Sequence, residues 1–273
     1  MFPFGVKTSR LSSPFVILDK SFLEGVSVPQ LLYYAQQRWI FGVTETLMFE
    51  LLRKDDPKRI PNLLKLHKVE DNLMILPGIG EMFRAEGESR EPAATVLVAK
   101  RVRLIVEKGP SGEYFELAGD TLTATEERSA DWNARLPLVL DAWNGLRSMP
   151  DLRDVRQGQE RHAIVRELEL KVGDDREDIR GFYRNHWQPP LPPPELIGED
   201  WATFRWIQVQ LLAGLDYIER HGEQTNPNRE KVLHDLLDLD YLVAALLVGG
   251  LACRDRKIVE RFRFLRRGGI VLR

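Results

Sequence analysis

The stretch that decides the fold lies near the C-terminus and reads LACRDRK over residues 251–257. Its three apolar residues predict a short buried strand, and Asp255 follows where the chain leaves the sheet. The residues after it predict a helix over 256–265, a glycine turn and a final strand over 270–272. A strand, a helix and another strand in this order predict an α/β fold with a central parallel sheet flanked by helices.

A second apolar run, near the N-terminus, also ends in a carboxylate. It reads FVILD over residues 15–19 and predicts the first strand of the same sheet, with Asp19 at its end. Ligands of open α/β sheets bind outside the carboxyl ends of the strands, so Asp19 and Asp255 are expected to meet there. Carboxylates without a matching set of histidine or cysteine favour a hard divalent cation such as Mg²⁺ or Mn²⁺.

The remaining pattern divides the chain into two parts. Helices are predicted in the regions 29–38, 45–54, 62–68, 133–147, 200–221 and 226–248, a strand over 39–43 and a rigid proline-rich spacer over 189–194. Periodicity does not separate helix from strand over 93–107. The domain prediction is therefore a core of residues 1–70 and 226–273, with residues 71–225 as a mostly helical insertion or added subdomain.

Composition limits the classes of function. The chain has 273 residues, a net charge of −2 and a pI near 6.3, so a nucleic acid would have to be held by local basic patches or through a metal. Its one cysteine, Cys253, excludes an intrachain disulfide and is predicted to be a small buried side chain. Neither a membrane span nor a signal peptide is predicted, so the expected location is cytoplasmic, with no membrane partner.

Four segments resemble, in order, the motifs of the PIN-domain nucleases. Asp19 ends a strand and is followed two residues later by Ser21, and Glu50 lies in an apolar helix over 44–52. Asp240 opens an aliphatic, alanine-rich helix, and Asp255 follows a short strand. The resemblance covers residues 15–55 and 228–272, about a third of the chain. Lys20 departs from the family pattern, in which a small residue is usual, as does the long separation of Glu50 from Asp240.

The resemblance implies a metal-dependent nuclease, a hydrolase that cleaves phosphodiester bonds with a metal-activated water. It implies Mg²⁺ or Mn²⁺ as the cofactor and a nucleic acid as the substrate, with RNA favoured over DNA and a ribonuclease as the expected enzyme. By the same resemblance, Asp19 and Asp255 bind the metal directly, whereas Glu50 and Asp240 bind it directly or through water. Ser21 would hydrogen-bond a ligand or a metal-bound water.

Each of the four acidic positions has an alternative reading, and for Asp19 it is an ordinary aspartate at the exit of a strand. On a helical wheel Asp238 lies near His234 in a typical solvent sector, whereas Asp240 falls among apolar residues. A carboxylate on an apolar stripe is costly unless it is paired or bound to metal, so Asp240 is preferred and Asp238 comes second. Glu45 competes with Glu50, which fits the motif better. Asp255 is also well placed to cap the helix that begins at residue 256.

Basic residues are the other ingredient that a phosphate backbone requires. They crowd the C-terminal segment, at Arg254, Arg256, Lys257, Arg261, Arg263, Arg266 and Arg267, with a smaller group at Lys100, Arg101 and Arg103. The alternative function is a non-catalytic PIN-like scaffold that binds RNA or protein, and a third is a metal-dependent phosphatase of small phosphoesters. The sequence leaves open whether a second copy of the chain or another protein is a partner.

Overall fold

The computed structural model describes residues 13–52, 58–96, 100–101, 134–148, 152, 159–186, 191–221 and 228–273. A six-stranded sheet with the order β4-β3-β2-β1-β5-β6 forms its centre. The strands are β1 (Phe15–Leu18), β2 (Ile40–Val43), β3 (Leu73–Ile75), β4 (Lys100–Arg101), β5 (Gly250–Ala252) and β6 (Ile270–Leu272).

The strand order reverses at β1, which makes β1 and β5 the switch point of the sheet. From β1 the chain builds outward through β2 and β3, and it then returns to the other side of β1 with β5 and β6. These five strands are parallel, and the two-residue β4 pairs antiparallel with β3 at one edge. The predicted α/β fold, a parallel sheet flanked by helices, is confirmed.

Helices surround the sheet and account for most of the described residues in the middle of the chain. They are α1 (Lys20–Gly25), α2 (Val28–Gln36), α3 (Glu45–Leu52), α4 (Arg59–His67), α5 (Ile79–Ser89), α6 (Ala93–Val96), the helical residues 134–145, α7 (Gln159–Asp174), α8 (Arg176–His186), α9 (Ala202–His221), α10 (Arg229–Val248) and α11 (Arg256–Leu265). Short 3₁₀ turns lie at Glu70–Asn72 and Leu146–Ser148. In the residues that the structure describes, no helix combines the length and the apolar character that crossing a membrane requires.

The helix that leads into β5 has clear local signals at both ends. Asn228 caps the start of α10, and its side chain accepts hydrogen bonds from the backbone N–H groups of Glu230 and Lys231. Gly249 ends α10 in the left-handed region, at φ +81°, which glycine adopts without a steric cost. Gly250 then starts β5 so close to β1 that a Cβ would overlap the carbonyl oxygen of Phe15. Glycine at this position therefore lets the two central strands approach.

The predicted boundary at residue 70 does not follow the sheet, because β3 begins at Leu73 and pairs with β2. The middle of the chain also shares the main hydrophobic core, in which Val209 and Leu212 of α9 belong to the same buried cluster as Val16 of β1. A smaller cluster beneath α8 contains Ile179, Tyr183, Ile197, Trp201 and Phe204. The middle segment thus supplies both a sheet strand and part of the common core.

One buried carboxylate accepts hydrogen bonds from the starts of two helices in this middle segment. Glu86 of α5 is fully buried and accepts hydrogen bonds from the backbone N–H groups of Ala93, Ala202 and Thr203 and from the Thr203 hydroxyl. The first of these groups lies at the start of α6, and the other two at the start of α9. Helix starts carry N–H groups with no partner inside the helix, so a carboxylate is a suitable buried acceptor for them.

Candidate functional site

The carboxyl ends of β1 and β5 meet at the switch point, as the sequence predicts. Asp19 follows β1, is buried, and donates its backbone N–H to the carbonyl oxygen of Ala252 at 3.0 Å. Asp19 thus stands directly beside the turn that runs from Cys253 to Asp255. The two acidic residues that the sequence analysis placed together therefore lie at the same edge of the sheet.

Ser21 joins the two turns through its hydroxyl group. Its Oγ donates a hydrogen bond to the Asp19 carboxylate and accepts one from the backbone N–H of Arg254 at 3.0 Å. The same oxygen lies 3.6 Å from the Sγ of Cys253. The sequence analysis expected Ser21 to contact a ligand or a metal-bound water, and here its hydroxyl holds Asp19 in place.

Cys253 is fully buried, as predicted, and it also belongs to the acidic edge. Burial, followed by the nearby charge of Asp19, raises the pKa of its thiol well above the usual range. The thiol therefore keeps its proton, and its hydrogen bond to Asp19 favours the charged carboxylate. Burial nevertheless dominates and raises the pKa of Asp19, with a smaller contribution from the negative charge of Asp255.

Asp255 lies at the exposed rim of this edge and caps α11. Its Oδ1 accepts hydrogen bonds from the backbone N–H groups of Lys257 at 2.8 Å and Ile258 at 3.1 Å. The capping role considered from the sequence is thus present. The charge of Asp255 still reaches the two acidic side chains farther inside, because it raises the pKa of both Asp19 and Asp238.

Asp238 of α10 completes the acidic group. Its side chain is half-buried, and its pKa is raised to about 8. Burial is the largest cause, and repulsion from Asp19, Asp255 and Glu50 follows, with Asp235 last. Asp19, Glu50 and Asp255 therefore lie near enough to Asp238 for their charges to act on it.

Glu50 is buried beneath this group and is held by a tyrosine. The hydroxyl of Tyr241 donates a hydrogen bond to Glu50 Oε2, and both side chains are buried. Burial first, then the charges of Glu50 and Asp19, raise the pKa of Tyr241 well above its usual value, so the hydroxyl stays protonated and remains a donor. Tyr241 lies three residues after Asp238 and therefore shares its face of α10.

Asp240, the preferred third residue, lies elsewhere. It is two positions after Asp238, about 200° around the helix, and its Oδ2 accepts a hydrogen bond from Thr46 Oγ1 at 2.7 Å. It lines a separate cavity of about 520 Å³, together with Phe83 and Trp206. The charges that shift the pKa of Asp19 and Asp238 do not include Asp240. The structure therefore brings Asp238, the second choice, to the acidic edge.

Glu45 likewise faces away from the group. It is exposed at the start of α3, and its carboxylate packs over Gly78, where a Cβ would overlap it. Glu50 is thus the glutamate of α3 that reaches the acidic edge. Tyr241 has no role in the sequence-based prediction, although its spacing of three residues from Asp238 is the signal that indicates its place on the same face of α10.

The donor chemistry of this edge suits a hard cation, but the side chains do not form a closed cage. Across the described parts of the chain, no three histidine, cysteine, aspartate or glutamate side chains are arranged to hold one metal ion. Asp19, Glu50 and Asp255 accept hydrogen bonds from Ser21, Tyr241 and the start of α11 instead. Mg²⁺ commonly binds through only one or two carboxylates, with waters and substrate phosphates as its other ligands, so an edge that offers carboxylates suits it.

Comparisons with known proteins identify no relative of this chain. No protein-family model matches it, and no curated protein or solved structure matches it significantly. A function is therefore inferred from the chemistry of the acidic edge and its surroundings.

Proposed function

We propose that this chain is a metal-dependent phosphodiester hydrolase that cleaves RNA, built on a PIN-like core with a large, mostly helical middle segment. The observation that carries the proposal is the convergence of Asp19, Asp238, Asp255 and Glu50 at the carboxyl edge of β1 and β5. Ligands of open α/β sheets bind at this kind of switch point. The strand order reverses here, between the two strands that end in the acidic turns.

Mutual repulsion among these carboxylates supports a cation as the missing partner. Burial is the largest cause that raises the pKa of Asp238 to about 8, and the negative charges of Asp19, Asp255 and Glu50 raise it further. A divalent cation offsets this repulsion and favours the charged form of each carboxylate. The edge therefore disfavours several ionised carboxylates without a counter-ion, and a bound Mg²⁺ or Mn²⁺ would stabilise them.

The position of each acidic residue suggests its role in binding the metal ion. Asp19 and Asp238 are the inner ligands that we propose, Asp255 is the ligand at the exposed rim, and Glu50 acts from beneath, where Tyr241 orients it. Asp238 thus takes the role that the resemblance gave to Asp240. When bound, Mg²⁺ or Mn²⁺ supplies charge neutralisation at the phosphate and a water of lowered pKa. Ser21 donates a hydrogen bond to the Asp19 carboxylate and so holds that carboxylate in place at the edge.

The rim of the acidic edge carries the positive charge that a polyanion needs. Arg254, Arg256 and Lys257 lie next to Asp255 in the sequence, and the first two are exposed, while Arg256 also pairs with Glu260 and Lys257 with Asp216. A chain with a net charge of −2 has no global attraction for a nucleic acid, so such a local group has to provide it. The preference for RNA over DNA comes from the resemblance to PIN-domain nucleases.

The second candidate is a non-catalytic scaffold that binds RNA, and one observation favours it. Asp19, Glu50 and Asp255 each already have a hydrogen-bonding partner in the protein, and Asp240 lies outside the group. An edge whose carboxylates only hold turns and helix starts in place would look similar. The scaffold and the enzyme differ in one measurable property, which is metal-dependent cleavage.

The deciding experiment is an RNA cleavage assay in Mn²⁺ with the wild-type chain and with Asp19→Asn. Asn keeps the size of the side chain and can still accept a hydrogen bond from Ser21, but it removes the charge that binds the ion. We expect cleavage by the wild type and a loss of about 100-fold or more in the variant. Glu45→Gln is the matched control, because that carboxylate lies on the other side of α3.

Equal cleavage by wild type and Asp19→Asn would remove the proposed metal site. RNA binding without cleavage in either Mg²⁺ or Mn²⁺ would establish the scaffold instead. The thermal midpoints of the variants, measured in parallel, separate a loss of chemistry from a loss of folding.

A further inference from the structure

A pair of cations lies directly beside the acidic edge. Arg254 is the residue between Cys253 and Asp255, and its side chain folds back over the end of α1. Its guanidinium lies so close to Gly25 that a Cβ at that position would overlap it. Because Gly25 has no side chain, the guanidinium of the exposed Arg254 can lie against the end of α1.

Lys65 of α4 reaches the same end of α1 from the other side. Its Nζ donates a hydrogen bond to the carbonyl oxygen of Leu23 at 2.5 Å. Burial lowers the pKa of the Lys65 amine, and the positive charge of Arg254 lowers it further. The two cations are therefore near enough to repel each other across the end of α1.

The nearby carboxylate is shared among several cations. The negative charge of Glu24 raises the pKa of Lys65 and so opposes the effect of Arg254. The Glu24 carboxylate also pairs with the Nζ of Lys58 at 2.6 Å and lies 4.0 Å from the Nζ of Lys20. Holding like charges together is unfavourable in the absence of an anion. The hydrogen bond to Leu23 and the contact with Gly25 keep the two cations in place, so the local fold maintains a site of concentrated positive charge.

We propose that Arg254 and Lys65 form an anion site that holds a backbone phosphate of single-stranded RNA beside the acidic edge. A guanidinium presents a planar fork that matches two phosphate oxygens, and an ammonium adds a compact charge. The choice of RNA rests on the proposed function, whereas the preference for an anion follows from the two cations themselves. The site would hold a phosphate that neighbours the cleaved one.

The backbone fixes this site relative to the acidic group. The N–H of Arg254 donates to Ser21 Oγ at 3.0 Å, and Ser21 in turn donates to Asp19. The backbone of Arg254 and the carboxylate of Asp19 are thus connected through one serine. A strand of RNA that contacts the Arg254 side chain would therefore lie beside the acidic edge.

The test measures binding apart from cleavage. A fluorescently labelled single-stranded RNA oligonucleotide is titrated with protein in EDTA, over a series of salt concentrations, for the wild type, Arg254→Gln, Lys65→Gln and the double variant. Each single variant is expected to weaken binding several-fold and to lower the slope of log K against log salt by about 0.7, the value for one contact to a single strand. Arg184→Gln, which removes an exposed cation from α8, is the matched control and is expected to bind as the wild type does.

Two further variants are expected to strengthen RNA binding or to preserve it. Glu24→Gln removes the carboxylate that opposes Arg254 at Lys65, so RNA binding is expected to become several-fold tighter. Arg254→Lys keeps the charge and is expected to retain most of the binding. Thermal midpoints of all variants show whether the fold is intact, and Arg254→Lys together with Glu24→Gln keeps the test decisive if either Gln variant unfolds.

The outcomes separate this site from the proposed activity. If Arg254→Gln and Lys65→Gln bind like Arg184→Gln, or if the wild type binds no RNA, the anion site is wrong even if Mn²⁺-dependent cleavage is found. If the two variants weaken binding but no cleavage occurs in Mn²⁺, the anion site stands and the hydrolase fails. If Glu24→Gln weakens binding, the charge argument for the site fails.

Discussion

Ser21 and Arg254 meet across 233 residues of sequence, where the hydroxyl of the first accepts a hydrogen bond from the backbone N–H of the second at 3.0 Å. The same hydroxyl donates to Asp19. One side chain therefore fixes the turn after β1 against the turn after β5. Because α1 and α11 start at these turns, Ser21 also sets how the acidic edge and its basic rim face each other.

Replacing Ser21 with alanine is expected to affect activity more than stability. The variant loses two hydrogen bonds, which we expect to lower the free energy of unfolding by about 1–2 kcal/mol. Because Asp19 loses its positioning partner, cleavage is expected to fall by about 10–100-fold. Ser27→Ala is the control, since Ser27 caps α2 and its loss costs about 1 kcal/mol without touching the acidic edge. Equal activity losses in the two variants would contradict the positioning role.

The pair Asp238→Asn and Asp240→Asn separates the two assignments of the third acidic residue. Metal that binds only the folded chain stabilises it, by about 2.7 kcal/mol when its concentration is 100 times Kd. We expect Mn²⁺ to raise the melting temperature of the wild type and of Asp240→Asn, and to raise that of Asp238→Asn much less. The reverse result would return the role to Asp240 and its partner Thr46.

The pH dependence of stability is expected to report on Asp238 in the metal-free protein. Its pKa is raised from 3.8 to about 8, so between these values the folded chain holds a proton that the unfolded chain releases. Its contribution to stability is therefore present below about pH 4 and is lost as the pH rises through 8. Partial exposure limits the effect to about 1–3 kcal/mol.

Asp238→Asn is expected to flatten this part of the profile. The variant should gain stability over the wild type as the pH rises from 4 to 8, in chemical denaturation with EDTA present. Saturating Mn²⁺ should flatten the wild-type profile in the same way, because the bound ion favours the charged carboxylate. Parallel wild-type and variant profiles without metal would show that burial and the charges of Asp19, Asp255 and Glu50 do not raise the pKa of Asp238.

The sequence predicts the edge of the sheet well because the signals there are local. An apolar run followed by an aspartate marks the ends of β1 and the turn after β5, and both strands lie within a residue of their predicted bounds. The helix predicted over 256–265 has those bounds, and Asp255 caps it. Such signals depend on neighbours in the sequence, so no knowledge of tertiary contacts is needed.

The features that the sequence does not predict are those that depend on tertiary contacts. The strand β3 is only three residues long and follows a polar 3₁₀ turn, so its pairing with β2 is what makes it a strand. Asp240 does lie on a buried face, as its apolar neighbours indicate, but Thr46 of α3 is its partner there. Asp238 occupies a sector that looks solvent-exposed on a wheel, and only the packing of α10 against β1 brings it toward Asp19.

Glu86 gives a test of the fold that is independent of any function. Its Oε1 accepts the N–H groups of Ala93 and Ala202, and its Oε2 accepts the N–H and the hydroxyl of Thr203. Glu86→Gln replaces one oxygen with an NH₂ group that faces a backbone N–H, so at least one buried donor is left without an acceptor. We expect a loss of about 1–3 kcal/mol in the free energy of unfolding, measured by urea denaturation.

Two further variants identify the cause of that loss. Thr203→Ala removes only the hydroxyl contact and should cost about 1 kcal/mol. Glu86→Ala leaves all three backbone N–H groups without their acceptor and opens a cavity, so it should cost more than Glu86→Gln. If Glu86→Gln is as stable as the wild type, the carboxylate does not hold α6 and α9 together. In that case the packing of α9 on α10, the pairing of β3 with β2 and the common core keep the middle segment on the sheet.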